Sequence, residues 1–493
     1  MPKKDIEIIG AGLSGLSSAA LLAKKGFRVT VIEKQGSPGG AAGVYTEGGF
    51  TFDMGPTWYL MPEVFEDYFA HFNRNVSDFY ELVDLDPSYK IFFGKGDSLK
   101  ITRDLEQNCA IFERIEPGSG ERLAKYLEDA EYKYTTAMKE FLYREYNSVF
   151  DFFNRKILFE GLRLDIFKKL DSYARNFFSS EKLRKILEYN IVFIGCTPFK
   201  SPALYSLMSH VDLTQGVRYP LGGINMLVKA LYENALREGV QFIFNTHVRE
   251  ICVSNRKVTH LKTDDGELGA HIVLSTADYH HTEMDLLDKP HQSYSKKYWG
   301  NRVLAPAVFI VYLGLNSKVP NLQHHNLYLS PQWEEHFRSI FDMPSWPDNP
   351  SYYIGCPSKS DDSVAPEGCE NLFVLVPVAP GLEDSDERRE EMFHKVMSHL
   401  ENIVGTDIKN SIVVKKIIAH REFAGNNMFM GTALGLAHTL FQTACFRPSH
   451  KSRKVKNLYY SGHYTHPGIG MPMVIISSQI IADKIERENN GSR

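Results

Sequence analysis

The 493 residues carry 56 Lys and Arg against 60 Asp and Glu, a formal net charge of -4, with 43% hydrophobic content. That is core material for two or three domains, without the overall basic field that would draw nucleic acid. Cys109, Cys196, Cys252, Cys356, Cys369 and Cys445 stand singly, with no CxxC pair, which points to a reducing cytoplasm and away from zinc ribbons and redox dithiols. No run approaches the roughly 20 apolar residues of a membrane span, so membrane contact is expected to be peripheral.

The chain opens on MPKK and a small-residue run that loosely imitates a signal peptide, but Asp5, Glu7 and the glycine spacing argue against one. The segment DIEIIGAGLSGLSSAALLAKKGFRVTVIEK reads instead as a strand over 6–9, three glycines, an amphipathic helix and a second strand ending at Glu33. Gly10 allows the tight turn, Gly12 leaves room for a pyrophosphate at the helix N-terminus, and Gly15 lets helix and strand pack closely. Glu33 is placed to accept hydrogen bonds from an adenosine ribose. This order predicts a Rossmann-like dinucleotide domain of α/β class, without separating NAD from FAD. Next, GSPGGAAGVYTEGGFTFDMGPTWYLMP brings Gly39 and Gly40, then Gly48, Gly49 and the DMGPT turn. A glycine pair is also an ordinary hairpin signal. Straight after the acid, it is better explained as more backbone brought up to an extended dinucleotide.

Here the chain resembles the flavin-dependent amine oxidase and carotenoid desaturase superfamily, and within it the bacterial phytoene desaturase family, which includes 1-hydroxycarotenoid 3,4-desaturases. The resemblance rests on GAGLSGL, GGAAGVYTEGGFTFDMGPT, GCTPFKSPALYSL, RYPLGGINMLVKAL, FQTACFRP and NLYYSGHYTHPGIGMP, in family order over nearly the whole length. It implies FAD as cofactor, held by Gly10, Gly12, Ser14 and Gly15, by Glu33 and Lys34, and by Gly39, Gly40, Ala41 and Ala42. It extends that contact to Gly55, Pro56 and Thr57, to the backbone at Val248, which in related proteins holds the adenine, and to Gly462, His463, Gly470 and Met471. One position departs from the pattern: where the family has GGR, this chain has Gly39, Gly40, Ala41, so an arginine that would help neutralise the pyrophosphate is missing.

Downstream, residues 219–278 read as a Gly-Gly turn, a helix ending near Gly239, strands around Phe242 and Val248, and the returning strand HIVLSTA. The FAD domain is thus expected in three pieces, 1–90, 210–290 and 410–493. Insertions 91–209 and 291–409 form a mixed α+β substrate domain with a helical lid, the first of them helical from about Gly120. Within 150–178, phenylalanines interleave with Arg155, Lys156, Arg163, Lys168, Lys169 and Arg175. That composition suits helices resting on an anionic bilayer, or a lid whose aromatic face packs on the core.

NLYYSG predicts a strand ending at Gly462. HPGIGMP then crosses close to the flavin ring, and Pro472 opens a helix through MVIISSQIIADKIE. The positive N-terminus of that helix, aimed at the pyrimidine side of the isoalloxazine, would stabilise the charge of hydride acceptance. His463 and His466 share a loop without Asp, Glu or Cys, short of the three or four ligands zinc needs, and no metal is predicted. His466 either orients substrate or hydrogen-bonds the loop.

The resemblance implies a desaturase that removes a hydride from an allylic carbon and a proton from its neighbour. The resulting cation makes that proton acidic, so a weak base suffices: Asp53, His466 or water, with none singled out, since Asp53 can equally hold its own turn. A long apolar substrate needs an apolar channel, for which Trp58, Tyr59 and Phe199 are candidates, although such stripes are commonly ordinary core. The expected polyene is phytoene first and a 1-hydroxycarotenoid desaturated at the 3,4 position second; oxygen or a quinone is the expected electron acceptor; and the expected setting is cytoplasmic, peripheral to the membrane. The alternatives are a carotenoid cis-trans isomerase using reduced FAD and a non-catalytic flavin- or lipid-binding protein. An amine oxidase is disfavoured by the scarcity of aromatic cage residues in the stretches assigned to the pocket.

Overall fold

A computed structural model describes residues 4–146 and 163–490. The strand Asp5–Ile9 lies at the centre of a five-stranded parallel sheet. Ile8 sits opposite Val31 of Arg28–Ile32 on one side and Leu274 of Ile272–Ser275 on the other. Gln241–Ile243 and Leu458–Tyr460 complete the two edges. These strands are apolar on both faces because both are covered. Ile6, Ile8, Val29 and Val31 pack on Leu16, Leu231, Ile475 and Ile476, contributed by the helices Leu13–Lys24, Asn225–Arg237 and Met471–Asn490. Ile9, Ile32 and Val273 face the other way, onto Ile251 and Leu261 of a small antiparallel sheet.

A second sheet has seven strands, in the spatial order Ile412–Ile418, Ala307–Leu315, Glu370–Val378, Tyr352–Gly355, His325–Tyr328, Tyr89–Gly94 and Asp97–Ile101. Its pairs are antiparallel except His325–Tyr328 with Tyr89–Gly94. Along Ala307–Leu315 the side chains alternate. Phe309, Val311 and Leu313 pack against Val396, Met397 and Leu400 of the helix Asp386–Val404, whereas Ile310 and Tyr312 face Phe52 and Phe373. The expected boundaries shift accordingly. Ile412–Ile418 pairs with Ala307–Leu315, so the substrate domain runs past residue 410, and Tyr89 already belongs to its sheet.

The helix expected from about Gly120 spans Ser119–Ala137. Arg155 and Lys156 of the expected interfacial helices lie outside the described residues. The part that is described holds a short helix, Leu170–Arg175. Among the described residues no helix is long and apolar enough to cross a membrane.

Candidate functional site

The parallel strands end together, so that Gly10, Glu33, Thr276 and Ser461 follow at one edge of the sheet, the usual place for a ligand in such a fold. A cavity of about 1350 Å³ runs from this edge past the seven-stranded sheet to the surface. A pocket for one small ligand is roughly 300–1,000 Å³, so there is room here for a cofactor and a second molecule.

At the sheet edge the walls are main chain. Gly12 is extended (φ -73°, ψ -178°) and precedes a 12-residue helix that has no acid in its first turn and, among the described residues, no side-chain cap. A β-carbon on Gly12 would meet no protein atom within 4 Å, and the residue lines the cavity. Gly39 donates its N–H to the Ala11 carbonyl at 2.9 Å, and Gly40 lies close enough that its β-carbon would stand 3.2 Å from the Gly12 α-carbon. Unpaired helix N–H groups with a second strip of glycine backbone beside them form a cradle for a phosphate-bearing ligand. Gly15 is not in the cavity wall. It touches the turn, where a β-carbon would fall 1.9 Å from the Gly10 carbonyl oxygen.

Glu33 is 7% exposed. Its carboxylate accepts from Ala11 N–H at 2.7 Å and from Gln35 N–H at 2.9 Å, leaving lone pairs free for hydroxyl donors at the cavity. Thr246 N–H donates to the Glu33 carbonyl at 3.0 Å, which holds the approach to Val248 beside the acid. Ser14 donates its hydroxyl to Ser461 at 2.8 Å; Ser461 contacts Ser477 at 3.1 Å and Ser477 contacts Thr465 at 2.9 Å. This hydroxyl chain ties the first helix to the last and was not legible beforehand, because its members are far apart in sequence. Lys34, Ala41, Ala42, Gly55, Pro56 and Thr57 also line the cavity, as do Gly462, His463, Gly470 and Met471. The last helix begins at Met471, one residue ahead of Pro472.

Farther along, the loop before that helix carries His466. Its Nε2 donates to the Leu142 carbonyl at 3.0 Å and the Phe141 carbonyl at 3.2 Å, while Nδ1 has no hydrogen-bond partner among the described residues. Burial pulls its pKa down to about 3, so the ring is neutral. His438 accepts from Ile469 N–H at Nε2 (3.1 Å) and faces the Tyr205 hydroxyl through Nδ1 (2.9 Å). Trp58 lines the cavity, stacked on His325 at 4.4 Å, with Tyr189, Phe193 and Tyr353 around it. Behind them Asp212 accepts from the Tyr89 and Tyr189 hydroxyls at 2.8 and 2.9 Å, and burial pushes its carboxyl up to about 7. The wall is thus richer in aromatic rings than the sequence segments implied. Among the described residues no group of three or more His, Cys, Asp or Glu is arranged to hold a metal.

Three candidates fall elsewhere. Asp53 lies outside the cavity wall: it accepts from Ile224 N–H at 2.8 Å and Asn225 N–H at 3.0 Å, capping the helix Asn225–Arg237, and burial raises its carboxyl to about 6. A carboxylate committed to two helix-start N–H groups is a cap, not a base for a substrate it does not face. Tyr59 is fully buried and hydrogen-bonded to Tyr80 at 2.7 Å, because successive side chains of an extended segment point opposite ways and Trp58 takes the cavity side. Phe199 packs edge-on against Phe337, with ring centroids 6.1 Å apart, and does not line the channel. Asp53→Asn is therefore expected to lower unfolding stability by about 1 kcal/mol and to leave flavin content unchanged, as read by urea titration and visible absorbance.

At the surface the cavity opens between Phe167, Phe441 and Phe446, which are 73%, 70% and 39% exposed. Leu440 and Ile166 also line it.

A parallel sheet, an uncapped glycine-lined helix and an acid at the end of the next strand define a dinucleotide-binding fold with a second, apolar compartment. The chain matches the family of flavin containing amine oxidoreductases over residues 13–485 and belongs to it. It is 42% identical to a carotenoid 3,4-desaturase of Haloarcula japonica, over 98% of each chain. It is 32% identical to a zeta-carotene-forming phytoene desaturase of Myxococcus xanthus, over 97% of this chain and 93% of that one. An oxidoreductase from Methanosarcina mazei shares the fold, with a TM-score of 0.64 at 16% identity over 97% of this chain and 100% of the other. The cofactor is FAD, and the cradle fits it: a space a Gly12 β-carbon would invade, helix N–H groups for a pyrophosphate and a buried carboxylate for a ribose.

Proposed function

We propose that the protein is an FAD-dependent carotenoid desaturase and that its preferred reaction is 3,4-desaturation of a 1-hydroxycarotenoid, with phytoene as the second substrate to test. The observation that carries this is one cavity joining the glycine cradle to an apolar mouth. The 42% identity to a 3,4-desaturase supports the choice of reaction.

Bound FAD supplies a two-electron acceptor for a hydride. The protein's part is positioning. The Gly10, Gly12 and Gly39–Gly40 backbone and Glu33 would hold the nucleotide, and the loop from Gly462 to Gly470, in the wall of the same cavity, would border the flavin. Val308, Ile310, Leu327 and Leu375 give the second compartment an apolar wall that excludes water from a polyene. His466 is neutral and lines the cavity, where we assign it to orient the substrate, and a water receives the proton. So weak a base is adequate because the neighbouring positive charge makes the proton acidic. Oxygen or a quinone then takes the electrons.

The mouth rests on a membrane surface in this reading. Three exposed phenylalanines at the entrance suit an interface that delivers an apolar substrate, while the nearby Lys168 and Lys200 are already paired with Asp165 and Asp342. Each phenylalanine buried in lipid contributes about 1.5–3 kcal/mol. The double variant Phe167→Ser, Phe441→Ser is expected to bind anionic liposomes at least about 100-fold more weakly and to keep its FAD; unaltered co-sedimentation would place the membrane contact elsewhere. The function itself is tested with FAD-loaded protein, air and either polyene in liposomes. Each new double bond lowers product mass by two hydrogens and moves absorption to the red. A geometric isomer of unchanged mass would refute desaturation.

A further inference from the structure

Arg447 is 4% exposed, and among the described residues its guanidinium hydrogen-bonds to main-chain carbonyls. Nε donates to the carbonyls of Tyr464 (3.1 Å) and Thr465 (3.2 Å), Nη1 donates to that of Gln442 (3.0 Å), and Nη2 reaches the His463 carbonyl. Longer contacts of 3.4 Å go to the Leu436 carbonyl. Lys133, Lys185, Arg389 and Lys484 are similarly buried, and each touches a carboxylate; Arg184, at 9% exposure, donates to the Phe178 and Ser179 carbonyls and lies near the Glu188 carboxyl. Among the described residues no acid pairs with Arg447; the titratable groups facing it are Tyr205, Tyr298 and Tyr464, with His438, His463 and His466 alongside. A buried cation without a counter-charge is costly even when carbonyls satisfy its N–H groups, and the cost is reasonable where a ligand brings the missing negative charge.

The position identifies that ligand. Gly468 (φ 130°) stands between Pro467 and Ile469, both in the cavity wall. A β-carbon on Gly468 would fall 3.3 Å from the Arg447 guanidinium carbon and 2.2 Å from His438 Nε2. The charge therefore sits one main-chain thickness behind the stretch of cavity wall formed by Pro467 and Ile469. Burial and the neighbouring guanidinium keep His438 and His463 neutral, so neither dilutes nor duplicates that charge.

We propose that Arg447 is a fixed counter-charge for the cofactor, a positioning residue whose buried cation favours the reduced, anionic flavin while its carbonyl bonds hold the loop at 463–465. This rests on the reading of the cavity as an FAD site. A hydride brings two electrons and one proton, so oxidised FAD becomes one charge more negative and needs no further proton. The cation stabilises that product without entering the chemistry.

The test is the two-electron midpoint potential of the FAD-loaded protein, measured anaerobically against reference dyes from pH 6 to 8. Wild type is expected to take up one proton per two electrons, a slope of about 30 mV per tenfold change in proton concentration. Arg447→Lys keeps the charge and the wild-type potential, although the loop is held by fewer bonds. Arg447→Gln loses the charge, and its ratio of reduced to oxidised flavin at a fixed potential falls at least about tenfold, or about 30 mV. A loaded Arg447→Gln protein with the wild-type potential overturns the proposal. If that variant does not load, the wild-type slope still decides: two protons per two electrons across the range overturns it. A wild-type protein that takes up no FAD overturns the reading of the site itself, an outcome separate from either of these.

Discussion

Gly12→Ala is expected to fold like the parent and to bind FAD about 10- to 100-fold more weakly, whereas Gly15→Ala is expected to lose both the flavin and stability. The two glycines sit three residues apart and do opposite work. Gly12 has an extended backbone any residue can adopt, and a β-carbon there touches no protein atom, so only the ligand's space is lost. Overfilling a fitted space costs about 1–3 kcal/mol, and about 1.4 kcal/mol is tenfold in affinity. At Gly15 the new carbon would lie 1.9 Å from the Gly10 carbonyl oxygen and 2.9 Å from Thr276 Oγ1. The first of these is backbone and cannot rotate away, so the helix must lift off the sheet, at a cost of about 3 kcal/mol or more. Flavin retained through gel filtration and the urea midpoint together separate the two. Full flavin content in Gly12→Ala would mean that no phosphate passes there.

Glu33→Gln should weaken FAD binding by about 10- to 100-fold. Both carboxylate oxygens already accept main-chain N–H groups, those of Ala11 and Gln35. A glutamine must turn its NH2 toward one of them, losing that bond and a charged acceptor for the ribose hydroxyls. Hydrogen bonds to a charged group contribute about 1.5–3 kcal/mol each, which converts to the stated range. Titration of apoprotein with FAD by fluorescence reads the change, and an unaltered dissociation constant would remove Glu33 from the ribose.

Features set by nearby residues were readable in advance. Strand, glycine turn, helix and acid occupy residues 5–33 as one local unit, and the steric demands at Gly10 and Gly15 follow from it. Side-chain direction in irregular backbone was not readable. Trp58 and Tyr59 are neighbours with equal claims on a channel, and the hydrogen bond from Arg218 N–H to the Tyr59 carbonyl at 3.2 Å belongs to the pairing that turns Tyr59 into the core. Asp53 looked like chemistry because its partners, Ile224 and Asn225, lie 171 and 172 residues away. The strand Ile412–Ile418 was misassigned for the same reason: its pairing partner lies about a hundred residues earlier. Arg447 sat in a motif with no visible task until the carbonyls of residues 463–465 surrounded it.

In the proposed reaction nucleotide and polyene occupy adjoining parts of one cavity and a hydride passes between them. Anaerobic mixing of FAD-loaded protein with excess 1-hydroxycarotenoid in liposomes, followed by absorbance and product mass, tests it directly. One double bond should form for each flavin bleached, and then turnover should stop until an electron acceptor is admitted. Flavin that stays oxidised while product accumulates, or flavin that bleaches without any loss of hydrogen from the polyene, would rule out hydride transfer between them.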